Sequence, residues 1–420
     1  MEPVDEVEEI VARVAALDIG KAEVVCCVRV PDRATGGRAQ EVRAFTTMTG
    51  ALVEMADWLR GLGVTRVVME STSDYWKPPF YVLEAAGFEP WLVNAKDVKH
   101  LPGRAKTDRL DAAWLAKLAE RQMLRPSFVP PVEIRELRDL TRYRVDLVET
   151  RNGYKQRAEK VLEDAQIKIS VVASDIFGVS GRAIMDALIV GERDADVLAD
   201  LARGVLRKKT DALVEAMRGR FNDHHAFLLG KVLGQVDRID ADIAELDERI
   251  ETMLVPFAQA AAALDDIPGV NRAAAAAIIA EVGVDMSRFP TPGHLCSWAG
   301  FAPVSKDSAG RSGRRSTGQG GRYLARALGN AVAGAARGQS FYGERYRRIV
   351  RRRGRNIAMV AVGRSMLVGV WHVLEDPAVG YIDLGGDWHE QRQKRRKDPA
   401  KTHIRQLERL GYRVTVEPAA

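Results

Sequence analysis

Cysteine is scarce in this sequence, and the few cysteines present follow no framework spacing. Of the 420 residues three are cysteine: Cys26 and Cys27 are neighbours, and Cys296 lies far from both. Neighbouring cysteines rarely pair with each other, and no spacing typical of a zinc site occurs. This usage argues against a disulfide-stapled secreted fold and suits a reducing cytoplasm.

Long apolar runs are also missing. No uninterrupted stretch reaches the roughly 18 residues of a membrane-spanning helix. The nearest, residues 357–374, is interrupted by Arg364 and is predicted to be a buried helix. The acidic start MEPVDEVEEI lacks the basic and apolar regions of a signal peptide. We therefore expect a cytoplasmic protein without a membrane partner.

Acidic residues are nearly absent from one segment. Between Lys306 and Arg355 the acidic residues are Asp307 and Glu344, although the net charge of the whole chain is only +6. A solvated surface mixes both signs, so a block of one sign indicates a polyanionic partner, most simply nucleic acid. The arginines expected to contact it are Arg311, Arg314, Arg315, Arg322, Arg326, Arg351, Arg352 and Arg353.

The predicted elements divide the chain into four parts. Residues 1–128 read as three strands followed by helix, strand, helix, strand and helix, which is an α/β pattern. Residues 129–256 are predicted to be helical, and residues 257–375 form a second helical region. Residues 376–420 are a charged tail that is expected to end in a short helix and a strand. The fold class is thus α/β plus all-α.

A heptad-like seam runs along the end of the first helical region. Its apolar residues follow steps of three and four: Leu229, Val232, Val236, Ile239, Ile243, Leu246, Ile250 and Met253. Packing between protomers as a coiled coil explains this seam, and so does a long core helix of a bundle. The pattern alone leaves both interpretations open.

Carboxylates stand at the ends of two predicted strands and at the start of a helix. Asp18 closes the strand AALD, Glu70 closes VVME, and KTDRLDA places Asp108 and Asp111 three residues apart before an apolar helix. Asp74 lies past the strand end beside aromatic residues and is a weaker candidate than Glu70. Strand carboxyl ends meet at one edge of an α/β sheet, so these acidic residues are expected to converge.

Two explanations compete for the helical pair. Acidic residues near a helix N-terminus are mildly stabilising by themselves. Four converging carboxylates, however, would repel each other without cations, and oxygen-rich sites suit Mg²⁺ or Mn²⁺. Two such ions can clamp a scissile phosphodiester. Because several carboxylates share one edge, we favour the metal site.

A Gly/Ser/Arg-rich segment, FAPVSKDSAGRSGRRSTGQGGRYL, follows in the second helical region. Its backbone N–H groups and guanidinium groups are suited to contacting phosphates. Taken alone, such a segment is more typical of a flexible nucleic-acid contact than of a catalytic loop. The preceding IPGVN resembles a helix-hairpin-helix turn, although a structural αα-hairpin explains it nearly as well.

Together these motifs resemble the DEDD transposases of bacterial insertion sequences, the family named for insertion sequence one-ten. The resemblance covers nearly the whole chain. Its N-terminal motifs are ALDIGK, VVMESTSDYW and KTDRLDAAWLA, and its C-terminal motifs are IPGV, SWAGFAPVSKDSAGR and GRYLARAL. It implies an RNase H-like, RuvC-like domain over 1–128, a helical oligomerisation segment over 129–256 and a transposase domain over 257–375.

The resemblance also implies site residues and partners. Asp18, Glu70, Asp108 and Asp111 fall on the DEDD positions, and Ser308 falls on the nucleophilic serine. The family's usual Ser-Gly is Ser308-Ala309-Gly310 here, so Ser312 and Ser316 remain alternatives. Implied partners are Mg²⁺ (or Mn²⁺), element and target DNA, a structured guide RNA encoded by the element, and further copies of the chain as a dimer or tetramer.

Two other functions remain open at this point. A junction-resolving nuclease would use the RuvC-like domain alone, with water as the nucleophile. A non-catalytic nucleic-acid-binding protein would keep the acidic residues for structural reasons. Covalent trapping separates the first from a serine recombinase, and dependence of DNA cleavage on Mg²⁺ separates the second.

Overall fold

The computed structural model describes residues 10–32, 35–71, 73–94, 108–304, 307–308, 311–312, 316–318, 320–396 and 399–415. The chain forms two compact units, Met1–Val129 and Pro130–Ala420. Each unit is described by itself.

The N-terminal unit is built on a mixed five-stranded sheet. Its strands are β1 (Val14–Ile19), β2 (Glu23–Pro31), β3 (Arg38–Thr46), β4 (Arg66–Ser71) and β5 (Glu89–Asn94). The order across the sheet is β3-β2-β1-β4-β5. The first three strands are antiparallel, and β1, β4 and β5 run parallel. This arrangement confirms the predicted α/β pattern of the N-terminal region.

Helices cover both faces of this sheet because successive side chains of a strand point to opposite faces. Ala15 and Leu17 of β1 pack in one core with helices α1 (Thr49–Gly61) and α2 (Lys77–Ala85). Val14 and Ala16 pack in a second core with α3 (Asp108–Glu120). The central strands are therefore buried on both sides.

The C-terminal unit is almost wholly helical. Its helices are α4 (Val132–Asp164), α5 (Ile169–Val172), α6 (Val179–Ile189), α7 (Ala195–Asp200), α8 (Thr210–Met217), α9 (Asp223–Leu254), α10 (Ala258–Asp265), α11 (Arg272–Val282), α12 (Pro292–Trp298), α13 (Arg322–Ala335), α14 (Phe341–Arg353), α15 (Arg355–Glu375), α16 (Trp388–Arg396) and α17 (Pro399–Arg409). The two long helices α4 and α9 pack along each other, and α5 to α8 form a separate core at 158–233.

The predicted seam of α9 is covered within the chain by α4. Leu229, Val236, Ile239, Ile243 and Ile250 of the seam are buried. Arginines of α4 form ion pairs with acidic residues of α9, as Arg144 does with Asp247 and Arg151 with Asp240. Of the two interpretations, the long bundle helix accounts for the seam, and a coiled coil between protomers remains a prediction.

The predictions for residues 357–374 and for the end of the tail have different outcomes. Residues 357–374 lie in α15, as predicted, and Val362, Met366 and Val370 are fully buried. By length and composition α15 is the one helix of the described residues that could span a membrane, but half of its apolar window is buried in the protein. The strand expected at the end of the tail is wrong for 411–415, which follow α17 as irregular chain without a neighbouring strand.

Candidate functional site

Asp18 and Glu70 follow the last aligned pair of two neighbouring strands. In the parallel pair β1–β4 the register ends with Leu17 opposite Met69, so Asp18 and Glu70 are the next residue on each strand. Neighbouring strands are about 4.8 Å apart. Both residues are half-buried. The register thus brings together two of the predicted carboxylates, 52 positions apart in the chain.

Both carboxylates also belong to the face that α3 covers. Side chains two residues apart share a face of a strand, and Ala16 and Val68, two residues before Asp18 and Glu70, pack in the core that contains α3. Asp18 and Glu70 therefore stand on the α3 side of the sheet.

The C-terminal end of α3 fixes the direction of the helix. The carbonyl of Glu120 accepts a hydrogen bond from the N–H of Val11 (2.9 Å), just before β1. Its buried carboxylate pairs with Arg29 (2.5 Å), which is opposite Val14 at the start of β1, and with Arg38. Because α3 ends where β1 begins, α3 runs antiparallel to β1. Its first residue, Asp108, lies roughly 18 Å away along the helix, toward the end of β1 that carries Asp18.

Asp111 lies on the stripe of α3 that faces the sheet. It is half-buried and precedes the buried Leu115 and Leu118 by four and seven residues, a spacing that stays on one helical face. Asp108 begins the helix, and its side chain lies outside the described part of the structure. The fold thus brings Asp18, Glu70 and the first turn of α3 to one edge, which we call the carboxylate edge.

The donors of the carboxylate edge fit a hard divalent cation, since every candidate ligand is a carboxylate oxygen. Among the described side chains, no group of three or more His, Cys, Asp or Glu residues is close enough to hold a metal ion. Asp18, Glu70 and Asp111 therefore do not form such a group by themselves, and the side chain of the predicted fourth ligand, Asp108, lies outside the described residues. Asp74 is not part of this edge: it begins a short 3₁₀ turn and pairs with Lys77 (3.4 Å).

Ser308 lies in a pair of nested strands in the C-terminal unit. The outer pair aligns β6 (Pro303–Val304) with β9 (Ser316–Thr317), and the inner pair aligns β7 (Asp307–Ser308) with β8 (Arg311–Ser312). Ser308 is opposite Arg311. The side chains of all three candidate serines lie outside what the structure describes. The backbone places Ser308 in the inner pair, and we call these two pairs of strands the serine hairpin.

Glycines close the base of the serine hairpin, a role that the sequence patterns did not reveal. Gly300 has a φ of +73°, and a Cβ at this position would lie 2.7 Å from the N of Gly320. A Cβ on Gly320 would lie 2.0 Å from the carbonyl oxygen of Ala299. Such approaches exclude any side chain. In the sequence, the glycines of this contact occur in GF at 300–301 and in QGG at 319–321.

An ion pair between Arg142 and the buried Glu281 lies beside the base of the serine hairpin. The carboxylate of Glu281, at the end of α11, accepts hydrogen bonds from Nε (2.7 Å) and Nη2 (2.8 Å) of Arg142 in α4. Arg138, one turn earlier, donates to the carbonyls of Ala280 and Glu281 (2.8 Å each). The Cβ position of Gly321 lies 3.8 Å from Oε2 of Glu281. The pair therefore ties α4, α11 and the hairpin base together.

The IPGV turn before α11 is explained by packing. Gly269 has a φ of +92°, and a Cβ there would lie 2.1 Å from the carbonyl oxygen of Ala331 in α13. The N–H of Val270 is bonded to the carbonyl of Ile267 (2.9 Å). Close contact with α13 favours the structural αα-hairpin over a phosphate-binding turn.

The arginines predicted to contact nucleic acid differ in their surroundings. Arg322 pairs with Asp146 (3.0 Å), and Arg326 pairs with Glu149, so both are engaged with α4. Arg351, Arg352 and Arg353 are exposed at the end of α14 and form no ion pair with a described residue. The side chains of Arg311, Arg314 and Arg315 lie outside the described residues. Among the described arginines of the predicted surface, those at the end of α14 are thus exposed without an ion-pair partner among the described residues.

Comparison with known proteins supports the resemblance to insertion-sequence transposases. Residues 15–167 match the family described as transposase, DEDD_Tnp_IS110, and residues 261–347 match the family described as transposase IS116/IS110/IS902. The first match contains the four predicted carboxylates, and the second contains Ser308.

Two curated relatives come from insertion elements. An uncharacterized 42 kDa protein of insertion element IS900 from Mycobacterium paratuberculosis is 28% identical over 324 residues, which are 71% of this chain and 79% of that protein. An uncharacterized 44.8 kDa protein of insertion element IS116 from Streptomyces clavuligerus is 27% identical over 254 residues, 53% of this chain and 62% of that protein.

Proposed function

The chain belongs to the IS110 family of insertion-sequence transposases, and on that premise we propose that it cuts and joins DNA through a covalent serine–DNA intermediate. The observation that carries this proposal is the carboxylate edge, where the strand register and the direction of α3 bring separate acidic residues together. Acidic residues kept for structural reasons alone would not need to share one edge.

Asp18, Glu70, Asp108 and Asp111 would hold the divalent cation, Mg²⁺ or Mn²⁺. When bound, such an ion stabilises the charge that develops on a phosphodiester under attack. The carboxylates would hold the ion at the carboxylate edge. This edge belongs to a rigid part of the sheet, because β1 and β4, which carry Asp18 and Glu70, are buried on both faces.

Ser308 is the proposed nucleophile. Its Oγ attacks phosphorus, a serine–phosphorus ester bond forms, and the phosphorus–oxygen bond to one sugar breaks. The proton of the hydroxyl ends on the leaving sugar oxygen. A hydroxyl from a second DNA end then displaces the serine, so the bond energy is conserved without an external energy source. Glycine contacts at the hairpin base support this role, since they join the chain just before the hairpin to the chain just after it.

We further propose the partners that the family resemblance implies. Donor and target DNA are the substrates, a structured RNA from the element supplies sequence choice by base pairing, and the carboxylate edge and the serine hairpin are assembled in a dimer or tetramer. Exposed arginines at the end of α14 support a nucleic-acid partner. A DNA-acting protein of this kind would work in the bacterial cytoplasm.

Covalent trapping tests the proposal. A suicide DNA substrate, nicked so that the leaving strand diffuses away, should trap the wild-type protein as an adduct that resists denaturation. Ser308→Ala should give neither adduct nor joined product, yet it should still bind nucleic acid because the arginines remain.

Ser312→Ala and Ser316→Ala are the matched controls within the same hairpin, and both should retain adduct. Adduct formation by Ser308→Ala would show that another residue is the nucleophile. DNA cleavage by the wild-type protein without any adduct would show that water attacks instead, as in a nuclease.

A further inference from the structure

Four buried side-chain nitrogen atoms in the C-terminal unit have no hydrogen-bond partner among the described residues. One is Nε of Arg151, whose Nη1 is already paired with Asp240. The other three lie on two helices that pack together. They are Nε of Arg345 and Nε of Arg348, both on α14, and Nε2 of His389 at the start of α16. Neither arginine forms an ion pair with a described residue, in contrast to Arg347 beside them, which pairs with Glu344 (3.2 Å).

Packing between α14 and α16 brings the three side chains together. The ring of His389 stacks on Phe341, the first residue of α14, with centroids 5.2 Å apart and planes 25° apart. Arg345 and Arg348 follow Phe341 by four and seven residues, and that spacing keeps all three on one helical face. His389 therefore lies over the face of α14 that carries the two arginines.

The electrostatics agree with this packing. Burial, and then the positive charges of Arg348 and Arg345, lower the pKa of His389. Burial and the charge of Arg348 also lower the pKa of Arg345, and Arg364 of α15 contributes to it. These arginines act on each other and on His389 as one group of charges.

Among the described residues, acidic side chains offset little of the positive charge of Arg345 and Arg348. Glu344 is the acidic residue whose charge raises the pKa of His389, and it is already paired with Arg347. A guanidinium group cannot lose its proton at physiological pH. Burying its N–H without an acceptor, beside a second guanidinium group, is therefore unfavourable unless an anion completes the site.

We propose that Arg345, Arg348 and His389 form a pocket that holds one backbone phosphate of a bound nucleic acid. A phosphate group offers several acceptor oxygens in the geometry that guanidinium groups match. The pocket rests on the proposed nucleic-acid function but is not given by the family match, which ends at residue 347, before Arg348 and His389. DNA and RNA share this chemistry, and both are used as probes.

The first measurement is the salt dependence of binding. Binding of the full-length protein to a labelled DNA duplex and to a labelled RNA hairpin is followed by fluorescence anisotropy over a series of salt concentrations. Methionine keeps the aliphatic volume of arginine, so Arg345→Met and Arg348→Met remove mainly the charge. Each change should weaken binding roughly tenfold, as expected for removal of a hydrogen bond to a charged group.

The slope of log affinity against log salt shows whether the arginines share a phosphate. On duplex DNA, the Arg345→Met/Arg348→Met double variant should reduce the slope by about 0.9, the value for one phosphate. A reduction of about 1.8 would place the arginines on separate phosphates and overturn the shared pocket. Arg347→Met is the control on the same helix and should leave the slope unchanged.

A second measurement does not depend on the variants folding. Inorganic phosphate, compared with chloride at equal ionic strength, should raise the thermal unfolding midpoint of the wild-type protein, because a ligand that binds the folded state stabilises it. His389→Gln should reduce this rise. No rise in the wild-type protein, or no slope change on either nucleic acid, would overturn the pocket.

These outcomes separate the pocket from the proposed function. A wild-type protein that forms the serine–DNA adduct while the slope stays the same in the double variant retains the proposed function and loses the pocket. A wild-type protein that binds phosphate in the pocket but forms no adduct retains the pocket, and the serine mechanism is then wrong.

Discussion

The ion pair between Arg142 and Glu281 yields the sharpest prediction about stability. The side chain of Glu281 is 4% exposed, and that of Arg142 is 37% exposed. Arg142 donates to both carboxylate oxygens, and its hydrogen bond with Glu281 raises the pKa of Arg142. Arg142→Met would leave the buried carboxylate without its counter-charge while most of the aliphatic packing remains.

The expected cost follows from burial. Removing one partner of a buried ion pair destabilises a protein by about 3–5 kcal/mol. Solvent reaches part of Arg142 and screens the pair, so we expect the lower end, about 3 kcal/mol. The guanidinium group also lies 4.9 Å from the ring centroid of Tyr323, a contact that contributes about 0.5–1 kcal/mol at a partly exposed site.

Native-state hydrogen exchange of the α11 amides is the suitable assay, because it reports local opening in a chain of two units. Arg142→Met should lower the opening free energy of α11 by about 3 kcal/mol. Glu281→Gln should cost less, and the double variant should cost less than the sum of both, because a neutral glutamine needs no counter-charge.

The matched control is Arg272→Met. Arg272 also forms an ion pair from α11, with Glu251 (2.8 Å), but the two side chains are 41% and 50% exposed. An exposed pair contributes at most about 1 kcal/mol. An Arg142→Met cost no larger than that of Arg272→Met, or strict additivity in the double variant, would refute the argument from burial.

The remaining predictions concern the candidate site and the N-terminal core. Asp111→Asn should abolish Mg²⁺-dependent DNA cleavage while circular dichroism stays unchanged, because it removes a carboxylate ligand without changing volume; cleavage at the wild-type rate would contradict the metal site. Replacing the three exposed arginines at 351–353 by methionine should reduce the salt slope of DNA binding by about 0.9 for each phosphate that the variant no longer neutralises; an unchanged slope would show that this helix end faces solvent in the complex. Gly320→Ala should prevent adduct formation at Ser308 because its Cβ would lie 2.0 Å from a carbonyl oxygen, whereas Gly293→Ala, whose Cβ would lie no closer than 3.4 Å to another residue's atom, should retain it. Burial raises the pKa of the Cys27 thiol from 9.0 to about 11. The stability that comes from keeping this thiol protonated is therefore fully present below pH 9.0 and disappears as the pH rises toward 11. In denaturant unfolding, the free energy of unfolding should decrease more between pH 8 and pH 10.5 for the wild-type protein than for Cys27→Ala.

Local patterns in the sequence were sufficient for the elements and for part of the site. Alternation and the buried runs predicted the strands of the N-terminal unit, and the residue at each strand end marked Asp18 and Glu70. These predictions succeeded because a strand or helix is specified by the period of its own side chains. The roles of Ser308 and of the four carboxylates in catalysis remain predictions.

The pairing of surfaces could not be read from the same patterns. The sequence showed that α9 has an apolar face. The hydrophobic effect is not directional, so an apolar face does not indicate which element covers it. Only the fold showed that α4 covers the seam of α9. Likewise the sequence predicted Arg322 to contact nucleic acid, and did not show that it pairs with Asp146, 176 positions away in the chain. Ion pairs of this kind depend on which helices meet.

The sequence by itself determined the strands, the long helices, the acidic residue at each strand end and the block of positive charge, because each is a property of neighbouring residues. Tertiary structure alone decided that Glu120 orients α3 so that its acidic start points toward the end of β1 that carries Asp18, and that Gly300 approaches Gly320 at the base of the serine hairpin. It also decided that His389 stacks on Phe341, on the face of α14 that carries Arg345 and Arg348. Each of these contacts joins residues far apart in the chain, and their distance is fixed by packing rather than by any local period.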